Sequence, residues 1–261
     1  MEEQDLNYRP DKSLGQHFLT DVHLAKKMPE LLQDFGLAYQ NILEVGPGKG
    51  VLTDFLTQKT PNLKLVEFDE RSVHYLKERY GANTPEIIHQ DFLKLNLSDC
   101  FNGEKMAIVS NFPYQISGAA LVKIFLNADL VSEVVGMLQK EVVMRIMAKS
   151  GNKAYGILAV LLQSLYEVNF VKTVKPGSFN PPPKVDSAVF HLIRRKNTIS
   201  SPKKLLEILK SAFGKRRKML NNTLYKQYPQ LNEAFSTFAK KRPEQLQVQE
   251  FIDLAEFLAD Q

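Results

Sequence analysis

The 261-residue sequence has no long hydrophobic run and only one cysteine, Cys100. A membrane-spanning helix needs roughly 20 consecutive apolar residues, and the first five residues, Met-Glu-Glu-Gln-Asp, are acidic where a secretory signal would be basic. One cysteine cannot form an internal disulfide, and the five histidines lack the spacing of a zinc site. We therefore expect a cytoplasmic protein with no membrane association and no bound metal.

Repeats and low-complexity tracts are also missing, and 44% of the residues are hydrophobic, enough for one substantial core with a small second domain beside it. The net charge of +5 is too modest to separate a nucleic-acid binder from an ordinary basic enzyme. Its distribution is more informative, because one stretch holds eight cations and a single acid, Glu207. The cations are Lys203, Lys204, Lys210, Lys215, Arg216, Arg217, Lys218 and Lys226. A polyanion would bind there through counterion release, although a solvated helix face is the commoner explanation of such a run.

Short β-rich segments alternate with helical periods from about residue 40 to about residue 195, the pattern of a parallel sheet wrapped by helices. The predicted strands are 41–45, 63–68, 86–89, 106–110, 133–138, 168–174 and 187–193. A polar linker, 197–202, then leads into helical periodicity without further strand signals. We predict a catalytic domain over 1–196 and a small helical domain over 197–261.

Three glycines follow the first predicted strand in a G-x-G-x-G spacing: Gly46, Gly48 and Gly50. Glycines at the end of a strand let the backbone pass close to a ligand. The spacing differs from the G-x-G-x-x-G of dinucleotide binders, and Pro47 removes an amide that a pyrophosphate could use. The loop therefore suits a ligand without phosphates, and its alternative is a tight strand-to-helix turn.

Acidic residues end the next two predicted strands. Glu67 stands about 20 residues after the glycine loop, where an acid in this fold class accepts hydrogen bonds from both ribose hydroxyls. Asp91 could accept a hydrogen bond from the amino group of a cofactor adenine, and the ring of Phe92 could cover its face. Each acid alone is more easily explained as a surface carboxylate, but their order at successive strand ends favours a binding site.

The fourth strand leads into Asn-Phe-Pro-Tyr at residues 111–114, which resembles the Asn-x-Pro-Tyr motif of amino-group methyltransferases acting on nucleobases. The exocyclic nitrogen of adenine is a poor nucleophile because its lone pair is delocalised into the ring. Hydrogen bonds from that amino group to the Asn111 side-chain oxygen and the Pro113 carbonyl would favour a pyramidal nitrogen. Tyr114 would stack on the target base outside the RNA stack. The alternative is a turn closed by proline.

With these motifs assembled, the chain closely resembles the ribosomal RNA adenine dimethylase family, in particular the branch that dimethylates two adjacent adenosines near the end of small-subunit rRNA. The resemblance also covers residues 13–19, 139–142, 155–156, 179–187 and 213–222. It implies S-adenosylmethionine as cofactor, S-adenosylhomocysteine as product, and no metal. The implied fold is a Rossmann-like sheet of seven mostly parallel strands, the seventh antiparallel, with helices on both faces, followed by the small all-α domain.

The resemblance also assigns residues. Residues 14–19 would lie over the cofactor, with His17 and Leu19 contacting it alongside Gly46, Gly48, Glu67, Asp91, Phe92 and Asn111. Phe179 would cover the second face of the flipped adenine, and three prolines after it stiffen its loop. Lys215, Arg216, Arg217 and Lys218 would grip RNA phosphates without reading bases. Three positions depart from the family pattern: His17 stands where asparagine is usual, and Phe112 and Gln115 replace leucine and asparagine.

The predicted reaction is direct transfer of two methyl groups to adenine N6 in the 3′-terminal hairpin loop of small-subunit rRNA. A partly assembled small subunit is the implied substrate, and a monomer the expected state. Three alternatives stay open at this point. The chain could be a large-subunit rRNA dimethylase of the macrolide-resistance type, a noncatalytic assembly factor, or a nicotinamide-dependent oxidoreductase. The last is disfavoured by the glycine spacing.

Overall fold

A computed structural model describes residues 16–33, 41–196 and 198–261. Leu14 and Gly15 of the predicted covering segment, Ser13 before it, and Asn197 at the predicted domain boundary lie outside the described residues. The strands are β1 (Phe18–Leu19), β2 (Asn41–Val45), β3 (Asn62–Glu67), β4 (Glu86–His89), β5 (Met106–Asn111), β6 (Val131–Gln139), β7 (Tyr166–Val174), β8 (Phe179–Asn180) and β9 (Ser187–Arg194). The helices are α1 (Val22–Glu30), α2 (Thr53–Leu56), α3 (Glu70–Tyr80), α4 (Leu97–Cys100), α5 (Ser117–Leu126), α6 (Lys140–Ile146), α7 (Ile157–Leu165), α8 (Pro202–Gly214), α9 (Leu224–Gln227), α10 (Leu231–Ala234) and α11 (Val248–Ala259).

Seven strands form one mixed sheet in the order β4-β3-β2-β5-β6-β9-β7. The pairs from β4 to β6 are parallel, and β9 runs antiparallel to both β6 and β7. Each predicted strand is confirmed with bounds within two residues, and so is the antiparallel seventh strand. The sequence did not predict the two-residue pair of β1 with β8.

Both faces of the sheet are buried, because successive side chains of a strand point to opposite faces. In β5, Ile108 belongs to one hydrophobic cluster, while its neighbours Ala107 and Val109 belong to the other. Such two-sided burial explains why the strands read as continuous apolar runs. The sheet with helices packed on it has the Rossmann-like methyltransferase architecture expected.

Aspartate caps begin two helices next to the carboxyl edge of the sheet. The side chain of Asp21 accepts a hydrogen bond from the Leu24 amide at 3.0 Å at the start of α1. Asp69 accepts one from the Arg71 amide at 3.1 Å at the start of α3. A carboxylate cap satisfies an amide that the first helical turn leaves without a partner. The cap of α3 holds the chain two residues beyond the end of β3.

The C-terminal helices pack on the sheet domain through α7. Leu205 of α8 and Phe251 of α11 belong to the same hydrophobic cluster as Leu162 of α7. The ring of Phe213 lies 6.2 Å from that of Tyr155 and 5.7 Å from that of Phe251. The core is therefore continuous here, and the domain boundary at 197 stays a prediction.

Within the described ranges, none of the helices combines the length and apolar character required to cross a bilayer. Among those same residues, no three histidine, cysteine, aspartate or glutamate side chains cluster as metal ligands would.

Candidate active site

A cavity of about 210 Å³ lies at the carboxyl ends of β2, β3, β4 and β5. We call it the strand-end cavity. Its lining contains the predicted residues His17, Gly46, Gly48, Glu67, Asp91, Phe92, Asn111, Pro113 and Tyr114. It also contains Gln16, Phe18, Val45, Val66, Phe68, Asp69, Gln90, Phe112, Gln115 and Ile116. The structure therefore brings together residues spread over nearly 100 positions, where open α/β sheets bind ligands.

The glycine loop after β2 needs its glycines for two reasons. Gly46, Gly48 and Gly50 have φ values of +65°, +56° and +79°, a region that other L-residues rarely adopt. A Cβ atom on Gly48 would also stand 2.7 Å from the Phe18 ring. The absence of side chains therefore lets the segment before α1 lie directly on this loop.

Backbone amides hold the Glu67 carboxylate at the end of β3. Oε1 accepts hydrogen bonds from the Phe68 amide at 2.7 Å and the Asp69 amide at 2.8 Å, and Oε2 accepts one from the Gly48 amide at 3.3 Å. Burial raises the pKa of Glu67, and these amide donors oppose the rise. The carboxylate is thus fixed in orientation at the cavity wall.

A second buried acid, Glu44, lies beneath the glycine loop and was missed by the sequence analysis. The Thr53 hydroxyl of α2 donates a hydrogen bond to its Oε2 at 2.7 Å, so Glu44 joins the strand before the loop to the helix after it. Burial, with smaller contributions from Asp54 and Glu67, raises the pKa of Glu44 to about 8. Only its position directly before the glycine motif could have singled it out.

Two aromatic side chains border the cavity after β3 and β4. Phe92 is buried, with the Lys123 ammonium 5.5 Å from its ring centroid, and the preceding Asp91 carboxylate accepts the Leu93 amide at 2.9 Å. Phe68 is 62% exposed although it lines the cavity. The signal in the sequence is an aromatic residue directly after the predicted ribose acid Glu67, although Phe68 was not among the predicted site residues.

Asn111, the last residue of β5, has a fixed side-chain amide. Its Nδ2 donates a hydrogen bond to the backbone carbonyl of His17 at 3.0 Å, which assigns the remaining amide atom, Oδ1, as the acceptor. The carbonyl of Pro113 already accepts the Ile116 amide at 3.2 Å, and the Ser117 hydroxyl stands 3.5 Å away. Asn111 is therefore the better placed of the two predicted acceptors.

The Tyr114 hydroxyl forms a hydrogen bond with the Ser187 hydroxyl at the start of β9. Its ring lies 5.3 Å from the imidazole of His17, at an angle of 38°. Burial raises the pKa of Tyr114. These contacts hold the ring at the cavity while leaving the tyrosine neutral.

Residues 16–20, which we call the covering strap, cross the cavity edge from β3 to β8. At one end the Gln16 side chain donates to Asp69 Oδ2 at 2.9 Å. At the other end the Thr20 amide donates to the Ser178 carbonyl at 2.8 Å, and Leu19 pairs with Phe179. Leu19 and Phe179 are both buried in the hydrophobic core and do not line the cavity in this conformation. Their predicted contacts with cofactor and target base stay predictions.

Residues 215–218, the basic segment, lie outside the cavity, at the end of α8. Lys215, Arg217 and Lys218 are exposed. Arg216 instead donates to the Asn152 carbonyl at 3.3 Å and stands 3.9 Å from the Glu244 carboxylate. This contact joins the basic segment to the loop before α7, where Lys149 and Lys153 are also exposed and were not predicted to contribute.

Comparisons with known proteins agree over nearly the whole chain. The model of the family described as ribosomal RNA adenine dimethylase matches residues 7–260. A Bacteroides fragilis protein named ribosomal RNA small subunit methyltransferase A is 45% identical, with 94% of this chain and 91% of that protein covered. A protein of the same name from Cytophaga hutchinsonii is 42% identical, with 95% and 96% covered.

Two solved structures share the fold. A dimethyladenosine transferase from Plasmodium falciparum superimposes with a TM-score of 0.73 at 24% identity, covering 93% of this chain and 97% of that one. The 23S rRNA methyltransferase ErmE gives a TM-score of 0.63 at 27% identity, covering 90% and 99%.

Proposed function

The chain belongs to the ribosomal RNA adenine dimethylase family, and on that premise we propose that it dimethylates N6 of two adjacent adenosines in small-subunit rRNA, using S-adenosylmethionine. The adenosines would lie in the 3′-terminal hairpin loop. The observation that carries this proposal is the fixed amide of Asn111 at the strand-end cavity, to whose oxygen no group among the described residues donates a hydrogen bond.

We assign Gly46, Gly48, Glu67, Asp91 and Phe92 to a cofactor side of the cavity. Gly46 and Gly48 line the cavity with backbone alone, and Glu67 offers a carboxylate held by three amides to the ribose hydroxyls. Asp91 accepts from the adenine amino group while Phe68 and Phe92 border its ring. These groups fit S-adenosylmethionine, which supplies an electrophilic methyl group on a sulfonium.

The raised pKa of Glu67 makes the affinity for the cofactor depend on pH. Its pKa is raised by burial, so the carboxylate becomes protonated at a higher pH than an exposed glutamate. A protonated carboxyl loses part of its capacity to accept from two hydroxyls. Cofactor affinity therefore falls as the pH falls through that raised pKa.

We assign Asn111, Pro113 and Tyr114 to a target side of the cavity. The Asn111 oxygen accepts a hydrogen bond from the adenine amino group and turns the nitrogen lone pair toward the methyl donor. Pro113 contributes a weaker acceptor, because its carbonyl already has partners. Tyr114 stacks on the base, and no strong base is needed, since positioning and exclusion of water lower the barrier.

Lys215, Arg217 and Lys218 bind phosphates of the RNA, and Lys149 and Lys153 extend the same surface. Contacts of this kind position a nucleic acid without reading its sequence. The substrate is a partly assembled small ribosomal subunit in the cytoplasm, on which the protein works as a monomer.

The test is transfer of labelled methyl groups to small subunits lacking the modification, with wild-type protein, Asn111→Ala and the exposed-site control Asn83→Ala. We expect dimethyladenosine on small subunits only, at least about a hundredfold slower transfer by Asn111→Ala, and no change for the control. Calorimetry with S-adenosylhomocysteine checks that each variant still binds the cofactor product.

Other outcomes would contradict the proposal. Label on large subunits alone would indicate the macrolide-resistance type of enzyme. Tight binding of cofactor and RNA without transfer would indicate an assembly factor. Binding of a nicotinamide cofactor in place of S-adenosylmethionine would indicate an oxidoreductase.

A further inference from the structure

The imidazole of His17 has a partner outside the cofactor side. Its Nδ1 lies 2.8 Å from the backbone carbonyl oxygen of Pro181, 164 residues away in sequence. A carbonyl oxygen can only accept, so Nδ1 carries the hydrogen and donates it. The side chain that the family resemblance assigns to the cofactor is thus bonded to the chain between β8 and β9.

Pro181 opens a segment of residues 181–186, the proline loop, which is tied down at both ends. His17 holds its start, and the hydrogen bond between the Tyr114 and Ser187 hydroxyls holds the residue that follows it. The Lys140 amide also donates to the Asp186 carbonyl at 2.9 Å. The loop is therefore fixed against residues that stand at the target side of the cavity.

Between these ties the loop presents exposed side chains. Pro182 and Lys184 are exposed, and Val185 is 47% exposed. An apolar side chain and a cation on a loop that ends next to Ser187, the partner of Tyr114, suit a nucleoside with its phosphate. The proline loop has the composition of a wall for the target adenosine.

His17 makes two further contacts with the target side. Its backbone carbonyl accepts the Asn111 amide at 3.0 Å, and its ring lies 5.3 Å from the Tyr114 ring. One residue of the covering strap thus contacts the proposed acceptor, the proposed stacking ring and the proline loop.

We propose that His17 is a positioning residue for the target adenosine, whose Nδ1 hydrogen bond holds the proline loop beside Tyr114. The inference rests on the proposed function and extends it. It moves the imidazole from the cofactor side to the target side, so loss of the donor weakens the use of RNA and leaves cofactor affinity unchanged.

Two substitutions separate the donor from the ring. His17→Asn removes the ring but keeps an N–H donor bonded to Cγ, the position that Nδ1 occupies in histidine. His17→Phe keeps a ring near Tyr114 but removes the donor. The control His23→Phe makes the same change at an exposed position of α1. Methyl transfer to small subunits lacking the modification gives KM and kcat, and calorimetry gives the dissociation constant of S-adenosylhomocysteine.

We expect His17→Phe to raise the KM for small subunits about fivefold to tenfold, the usual effect of losing one hydrogen bond, with the S-adenosylhomocysteine constant unchanged. His17→Asn stays within about twofold of wild type, as does His23→Phe. Retained cofactor-product binding shows that a variant is folded.

An unchanged KM for His17→Phe would overturn the inference. So would a weaker S-adenosylhomocysteine affinity at any KM, since that makes the imidazole a cofactor ligand. Wild-type protein that transfers nothing contradicts the proposed function, and the dissociation constants of wild type and His17→Phe for small subunits then still test the role of His17.

Discussion

The two sides of the strand-end cavity are built in different ways. On the cofactor side, Glu67 is bound by the amides of its own turn and of the glycine loop, 19 residues away. On the target side, Asn111 is bound to the strap across 94 residues, and Tyr114 to Ser187 across 73. Local backbone conformation thus forms the first side, and distant segments meeting after folding form the second.

This difference indicates where each side is vulnerable. The cofactor side depends on positive φ angles and on a buried acid, features that a single substitution alters directly. The target side is held by single hydrogen bonds between residues that are distant in sequence, and each bond contributes about 1 kcal/mol to stability. We therefore expect the largest single-site effects on folding stability and on ligand affinity on the cofactor side, whereas Asn111 affects the rate of transfer.

The largest expected effect concerns Glu44, which is fully buried beneath the glycine loop. Its pKa is raised to about 8 in the folded protein, so folding favours the protonated carboxyl. The stability that this form contributes is fully present below the pKa of Glu44 in the unfolded chain, and it is lost as the pH rises through about 8. Glu44→Gln mimics the protonated side chain. We expect the variant to match wild type near pH 4.5 and to be more stable near pH 9 by on the order of 4 kcal/mol.

Urea unfolding across this pH range measures the difference, with the exposed Glu70→Gln as the control for loss of one negative charge. A constant stability difference between Glu44→Gln and wild type would contradict the prediction. It would mean that the charged Glu44 carboxylate is stabilised by a partner in the folded protein, and that its pKa is not raised there.

Gly48→Ala tests the backbone of the same side. The substitution places a Cβ 2.7 Å from the Phe18 ring and forces alanine to a φ of +56°. We expect S-adenosylhomocysteine to bind about tenfold to thirtyfold more weakly by calorimetry, because left-handed alanine costs roughly 1–2 kcal/mol and the strap must shift.

Gly118→Ala is the matched control, because Gly118 lies in helix α5 with open space around its Cβ position. Alanine there stabilises the helix by about 0.5–1 kcal/mol and leaves cofactor binding intact. Equal effects of the two substitutions would remove the distinction between a loop that requires glycine and a helix that tolerates it.

The same difference explains how much could be predicted from sequence. The seven strands and the glycine, Glu67, Asp91 and Asn111 positions follow from apolar runs and from the residues directly after them, which parallel strands bring to one edge. The contact of His17 with Pro181 and the pair of β1 with β8 have no local signature. Leu19 and Phe179 illustrate the limit, because their residue types suit either a core or a ligand contact, and the fold buries them.

The smallest expected effect belongs to the basic segment, which is remote from both sides of the cavity. Lys215→Ala, Arg217→Ala and Lys218→Ala together remove three exposed cations. Each phosphate contact contributes about 0.7 to 0.9 to the slope of log K against log salt. The triple variant should therefore lower the slope for small subunits by about 2 to 3 and weaken binding about fivefold at moderate salt, with S-adenosylhomocysteine affinity unchanged.

Alanine at the exposed Lys26, Lys27 and Lys59 changes the net charge equally, so the same fall in slope for that control would show that total charge, and not the basic segment, attracts the RNA.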